Sequence, residues 1–356
     1  MAKVLMKGNE AMALAAIKGG CDAFFGYPIT PQNELPEYLS YHMQKHGKVF
    51  VQAESEVAAI NMVYGAAGAG ARVLTSSSSP GIALKQEGIS YMAGSELPAV
   101  IINVMRGGPG LGSIQPSQAD YNQVTRGGGN GDYHLLSFAP ESIQEAVNII
   151  KDSFRLADKY RNPVMIAVDG LIGQMMEPVD LDVPIDLAME EKPWAADGHS
   201  GKRQKNNKIV SLFLDTKDLE THNLKLHKKY QAIIQDEQRY ELVQCDDADL
   251  VLVAYGSMAR IARSAIALAR QKGYRVGLLR PITLWPFPEQ GFNALSAKVT
   301  DLMTVEMSLG QMHQDVLIVN QGKRRTHWFG RTGGVVPSAE EMLEAIEKVV
   351  LKGAVA

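Results

Sequence analysis

From residue 1 to about 185, short apolar stretches alternate with helical ones, and the apolar stretches run into glycine, proline or serine at their ends. This alternation leaves little choice of fold. Strands that are apolar throughout belong in a parallel sheet covered by helices on both faces. The expected order is an Ala-rich helix over 9–20, a strand over 22–27, a helix over 34–46, a strand over 48–53 and a helix from Glu56 to Gly68. Strands over 72–76 and 98–105, a helix over 141–158 and a strand over 163–169 complete it. Between the first strand and the second helix lies Pro28-Ile29-Thr30-Pro31, whose two prolines exclude both helix and central strand. Open sheets of this kind bind ligands beyond the carboxyl ends of their strands, where loop amides and helix N-termini converge. The region 106–132 holds Gly107-Gly108-Pro109-Gly110, Gly112 and Gly127-Gly128-Gly129, and reads as a long functional loop, too rich in glycine for a packed element.

A second α/β unit starts at Asp249. It should contain a strand over 250–254, the turn Tyr255-Gly256-Ser257, a helix over 259–272, strands over 275–279 and 301–306, and a last helix over 338–352. Between the units, 14 of the residues 201–240 are charged and nine of those are basic. This reads as a solvated linker arm with one amphipathic helix around 217–239. The 356 residues therefore divide into a first domain over 1–185, an arm over 186–243 and a second domain over 244–356, both domains being doubly wound parallel sheets.

Several function classes lose support from composition alone. Lys plus Arg at 36 against Asp plus Glu at 39 gives a net charge of −3, which supplies no basic field for nucleic acid or a membrane surface. Cys21 and Cys245 stand far apart, so the chain can form neither a disulfide framework nor an iron–sulfur site by itself, and a reducing, cytoplasmic compartment is expected. No apolar run approaches the ~18 residues needed to span a bilayer. The glycines match neither the dinucleotide fingerprint nor the phosphate-binding loop with its Gly-Lys-Ser/Thr ending.

The strongest chemical signal is Glu56, in Glu54-Ser55-Glu56-Val57-Ala58-Ala59, with Gly65 nine residues later. A carboxylate in a helix's first turn commonly does no more than complement the helix dipole. Here Ala58, Ala59, Ile60, Met62 and Val63 follow, so the helix should be packed on most sides and Glu56 poorly solvated. Glu54, eleven residues before Gly65, is the second choice.

Glu56 with its small residues and distant Gly65 resembles the pyrimidine-binding domain of thiamine diphosphate enzymes. In order, Tyr27-Pro28-Ile29-Thr30-Pro31, Glu54-Ser55-Glu56, Thr75-Ser76-Ser77-Ser78-Ser79-Pro80-Gly81 and Glu96-Leu97-Pro98 resemble the 2-oxoacid:ferredoxin oxidoreductase family, α-type subunit. Tyr255-Gly256-Ser257, Leu284-Trp285-Pro286-Phe287-Pro288 and Glu306-Met307-Ser308-Leu309-Gly310-Gln311 are similar to the transketolase C-terminal-like domain that follows in that family. Gly107-Gly108-Pro109-Gly110 and Gln115-Pro116-Ser117-Gln118-Ala119-Asp120-Tyr121 are most similar to its branched-chain members, which act on 2-oxoisovalerate.

The resemblance implies CoA-dependent oxidative decarboxylation of a branched-chain 2-oxoacid, with reduction of ferredoxin. It assigns Glu56 to the pyrimidine ring nitrogen as the catalytic residue, with Pro28 beside the cofactor. Thr30 and Arg106 would bind the substrate, and Arg126 is a further candidate for substrate or for a coenzyme A phosphate. Family members hold the diphosphate through Mg²⁺ at a Gly-Asp-Gly motif that is missing here, since Gly131-Asp132 is followed by Tyr133 and Asp169-Gly170 is preceded by Val168. The metal is thus expected on a diphosphate-binding β-type subunit, and iron–sulfur clusters on a ferredoxin-like subunit, with a γ-type subunit also present. A 2-oxoglutarate enzyme's α subunit, a transketolase-like carboligase half without ferredoxin, and a non-catalytic α/β module remain alternatives.

Overall fold

The structure, a computed structural model, describes residues 3–181, 191–198 and 205–353. The expected boundary near 185 lies outside the described residues. Fourteen strands run through the described chain. In the first half they are β1 (Val4–Lys7), β2 (Ala23–Gly26), β3 (Val49–Gln52), β4 (Val73–Ser77), β5 (Ala99–Met105), β6 (Leu136–Phe138), β7 (Pro163–Asp169) and β8 (Met176–Val179). In the second they are β9 (Tyr240–Val243), β10 (Leu250–Val253), β11 (Val276–Pro281), β12 (Thr283–Trp285), β13 (Asp301–Glu306) and β14 (Arg325–Gly330).

Two sheets carry the fold. The larger has the order β12-β6-β7-β5-β4-β2-β3 and is parallel from β6 to β3. The smaller has the order β14-β13-β10-β11-β9, with only β9 antiparallel. Every residue of β5 and β7 is buried, as the two-sided helical cover of a parallel sheet requires. A separate antiparallel pair joins β1 to β8. No helix among the described residues is long and apolar enough to cross a membrane.

One helix absent from the sequence reading fills the space after β4. It runs from Ser79 to Gly94 with Pro80 in its first turn, where a missing N–H costs nothing. Gly88 lets it approach the Glu56–Gly68 helix closely, since a Cβ there would stand 2.6 Å from Ile60 Cγ2. The glycines of 127–129 also differ from expectation. A Cβ on Gly128 would meet Gln86 at 2.9 Å and one on Gly129 would meet Ser90 at 2.6 Å. They are packed tightly against that same helix, so glycine here permits close backbone approach and not mobility. The expected loop also contains a short helix, Tyr121–Arg126.

The arm is docked, not merely solvated. Its helix, Thr216–Asp236, buries Leu226, Tyr230 and Ile233. Lys225 and Lys229 both pair with Glu96, and His222 bonds to the Gly94 carbonyl. His134 stacks on Trp285 at 4.5 Å, with Tyr230 edge-on to both. His134 and Trp285 are packing groups.

Residues quoted only as signatures form the seam between the halves. Gln118 Nε2 donates to the Tyr255 carbonyl at 2.9 Å, while its Oε1 accepts from Met307 N at 3.0 Å. Asp169 accepts from Ser257 N at 2.9 Å, and burial raises its carboxyl above the usual range. Gly256, at φ +55°, leaves room for that carboxylate, because a Cβ would lie 2.8 Å from Asp169 Oδ2. An ionic cluster continues the seam: buried Arg280 makes two 2.8 Å bonds to Glu145 and one of 2.9 Å to Glu241. Arg263 binds Glu141 at 2.7 Å and Glu241 at 2.6 Å.

Candidate functional site

The carboxyl ends of β2, β3, β4 and β5 converge where the sheet turns over to its following helices. Beyond β3, Ser55 caps the Glu56–Gly68 helix, its hydroxyl accepting from Ala58 N at 3.1 Å. A serine cap fixes the first turn, and Glu56 follows it directly. Glu56 is buried while Glu54 is exposed. Burial thus separates the two carboxylates that sequence spacing alone left in competition.

The Glu56 carboxylate lies against the start of the Ser79–Gly94 helix. A Cβ on Gly81 would stand 2.7 Å from Glu56 Oε1 and 2.1 Å from Ser77 Oγ. Among the described residues no donor meets this carboxylate. The Ser77 hydroxyl, which lies with it against Gly81, is buried and also lacks a partner, as does the Ser78 hydroxyl that follows at the end of β4. Buried polar groups are normally satisfied, so an acidic group and two hydroxyls left open together mark a place for a polar ligand. Gly81→Ala should cost about 1–3 kcal/mol through overpacking, seen as a lower thermal midpoint. Gly65→Ala on the neighbouring helix, where a Cβ meets nothing within 4 Å, should stabilise by up to about 1 kcal/mol.

Arg106 follows β5 and is 6% exposed. Its Nη1 donates to the Thr30 carbonyl at 2.9 Å and its Nη2 to the Leu111 carbonyl at 3.0 Å, while Nε is buried without a partner. It therefore ties the β2 turn to the glycine loop. Its backbone is fixed from below, since Arg106 N donates to Ser79 Oγ at 2.9 Å. Asp120 holds that arrangement by accepting from Ser79 Oγ at 2.7 Å and Asn103 Nδ2 at 2.9 Å. Burial pushes the Asp120 carboxyl up, against these bonds and the Arg106 charge.

Thr30 Oγ1 accepts from Asn33 Nδ2 at 3.2 Å, and Pro28 is exposed in the same turn. Beside Thr30 opens a cleft of about 450 Å³ whose walls include Pro31, Ile114, Leu171 and Val336. Thr30 and Arg106 are thus brought together through one hydrogen bond. Arg126 is not part of this group. It lines a different cleft, with Trp285 and Phe287, and its guanidinium is held by Asp315 at 2.6 Å.

The sequence reading missed Asn103, the positioning role of Asp120, and Lys85. Lys85 is fully buried, one turn beyond Gly81 on the same helix. A helix drawn over 79–94 would have put Gly81, Lys85 and Gly88 on one packed face by their four- and three-residue spacing.

A buried carboxylate with open hydroxyls and a glycine beside it fits an aminopyrimidine, whose ring nitrogen and amino group need an acid and acceptors at short range. Comparison with known proteins points the same way. Residues 14–241 match the family described as pyruvate flavodoxin/ferredoxin oxidoreductase, thiamine diphosphate-binding. Residues 248–342 match the pyruvate:ferredoxin oxidoreductase core domain II. A ketoisovalerate oxidoreductase subunit VorB from Methanothermobacter marburgensis is 48% identical over 98% of this chain and 98% of its own length. A 2-oxoglutarate synthase subunit KorA from Archaeoglobus fulgidus is 36% identical over 88% of this chain and 90% of its own. Among solved structures, a 2-oxoglutarate:ferredoxin oxidoreductase from Magnetococcus marinus, with 2-oxoglutarate, coenzyme A and succinyl-CoA bound, superposes with a TM-score of 0.87 at 25% identity. That match covers 98% of this chain and 65% of the other.

Proposed function

Because the chain belongs to the thiamine diphosphate-dependent 2-oxoacid:ferredoxin oxidoreductase family, we propose that it is the pyrimidine-binding subunit of an enzyme that oxidatively decarboxylates 2-oxoisovalerate to its acyl-CoA. The observation that carries this reading is the Glu56 carboxylate, buried against Gly81 and without a donor among the described residues. Bound thiamine diphosphate supplies the carbanion chemistry of decarboxylation. Glu56 hydrogen-bonds the pyrimidine ring nitrogen through one carboxyl oxygen, and the buried Ser77 hydroxyl offers a further polar contact. Arg106, through its unpaired Nε, and the Thr30 hydroxyl orient the substrate's carboxylate and keto oxygen. Pro28 borders the cofactor.

Two features favour an apolar substrate side chain. The cleft beside Thr30 has Ile114, Leu171 and Val336 in its walls together with the polar Asn33, Glu34, Gln115 and Gln174, and among the described residues it offers no cation for a second carboxylate. Arg126, which would serve a second substrate carboxylate or a coenzyme A phosphate, is engaged by Asp315. The relatives called ketoisovalerate oxidoreductase subunits, at 48–49% identity, support the same choice over the 2-oxoglutarate relatives at 32–36%.

Mg²⁺ and the diphosphate belong on a β-type partner, with iron–sulfur clusters on a ferredoxin-like partner and a γ-type subunit in the same assembly. Val57, Met62 and Leu84 are exposed on the two helices that meet at Glu56, which supports a partner covering these helices. Both cysteines are free and buried, in keeping with a reducing cytoplasm.

The test is to purify the chain with its partners and follow coenzyme A-dependent reduction of a viologen dye with 2-oxoisovalerate, 2-oxoglutarate and pyruvate. The highest kcat/KM is expected with 2-oxoisovalerate. Preference for 2-oxoglutarate would overturn the substrate. Turnover that needs neither coenzyme A nor an electron acceptor would replace the redox reading with a carboligase.

A further inference from the structure

Lys85 is a lysine with no exposed surface, in a helix whose other inward residues include Ile82, Ile89 and Met92. Its ammonium donates to Thr75 Oγ1 at 2.6 Å and to the Ser76 carbonyl at 3.2 Å. Thr75 Oγ1 in turn donates to the Phe25 carbonyl at 2.7 Å. Strands β4 and β2 thus offer it only neutral groups. A buried ammonium costs several kcal/mol unless a charge compensates it, and a methionine or leucine would fill the space without that cost.

The charge that acts on Lys85 is Glu56 of the adjacent helix: the ammonium sits at Thr75 and Ser76 of β4, and the next residue, Ser77, lies with the Glu56 carboxylate against Gly81. The two make no direct ion pair, but Gly81 joins them: its bare backbone touches the Glu56 carboxylate, and Lys85 leaves the same helix face four residues on. Arg106 and Asp120, the next charges along this edge, act on each other beyond Ser79.

We propose that Lys85 is the counter-charge of Glu56, a positioning residue that acts through that carboxylate on how the pyrimidine ring is held. Its ammonium is taken up by Thr75 and Ser76 and has no open surface. This role rests on the functional reading above and adds to it a switchable charge behind the acid. Burial pushes the Lys85 ammonium down from 10.5 to about 7, so the charge facing Glu56 changes within the neutral range. A folded-state value below the unfolded one means the folded chain binds fewer protons above about 7. The cost of burying Lys85 is full below that pH and disappears as pH rises from about 7 towards 10.5.

The experiment compares wild type, Lys85→Met and Lys85→Arg in the assembled complex stripped of cofactor, measuring thiamine diphosphate affinity by calorimetry across neutral pH. Wild type should pass between two affinities with a midpoint near 7. The methionine variant, never charged, and the arginine variant, always charged, should each lose that step and differ from one another about tenfold. Should the guanidinium not be accommodated, Lys85→Gln, polar and uncharged, should match the methionine variant. Thermal midpoints of the full chain give a second readout: the advantage of Lys85→Met over wild type should shrink as pH rises above 7. A wild-type step that persists in Lys85→Met, or equal affinities for the charged and uncharged variants, overturns the proposal and leaves the functional reading standing. Wild type that binds no thiamine diphosphate overturns both.

Discussion

Glu56→Ala in the assembled complex should lower kcat about 10²–10⁴-fold, with the partners still bound. The size follows from the role proposed for the residue: a positioned acid beside a ring nitrogen contributes only from that place, and no other described carboxylate lies against Gly81. Glu56→Gln keeps the shape and a hydrogen bond but cannot give up and regain a proton, so it should fall nearer to alanine than to wild type. Exposed Glu54 supplies the control, and Glu54→Ala should retain turnover within about twofold. The readout is dye reduction at saturating thiamine diphosphate. Equal activity of Glu56→Ala and Glu54→Ala would remove Glu56 from the chemistry and favour a scaffolding role for the chain.

The second large effect concerns stability. Arg280→Met should destabilise the chain by about 3 kcal/mol, the low end for removing one partner of a buried ion pair, because Arg280 is buried while its carboxylate partners are part-exposed. Glu145 loses a bidentate partner, and Glu141 and Glu241 are left to Arg263 alone. The Arg280 and Arg263 charges hold the Glu241 carboxyl below its usual range, against its partial burial. Its stabilising share is therefore present above the ordinary glutamate value and fades as pH falls through the lowered one. The penalty of Arg280→Met should shrink in acid, when the stranded carboxylates protonate. Thermal midpoints of wild type and variant between neutral and mildly acid pH check both size and direction, and a penalty that grows in acid would refute the account.

Local rules made much of the first sheet legible. The strands Ala99–Met105 and Pro163–Asp169 are apolar throughout and bounded by punctuating residues, and the Glu56–Gly68 helix announces itself by Ser55 and a run of alanines. The helix Ser79–Gly94 did not, because a serine run ending in Pro80-Gly81 has the composition of a turn; only its packing on Ile60 makes glycine useful there. Strands β1, β8 and β9 are short and partly exposed, so no apolar run marked them. At the site, Glu56, Thr30 and Arg106 could be picked out by motif because each ends a strand or follows one. Lys85 could not, since its burial and its relation to Glu56 exist only once two helices are packed together. Arg126 shows the converse: an arginine among glycines looks available until Asp315, far along the chain, is brought beside it.

Strand β12 belongs by sequence to the second half but completes the first sheet, pairing antiparallel with β6. A fragment ending at Val243 would therefore present β6 as a raw edge with unpaired amides and carbonyls, an invitation to self-association. The complementary fragment would carry Thr283–Trp285 with nothing to pair against. No single cut in this chain yields two finished sheets, and expressing its halves separately should give aggregates where the intact chain closes both.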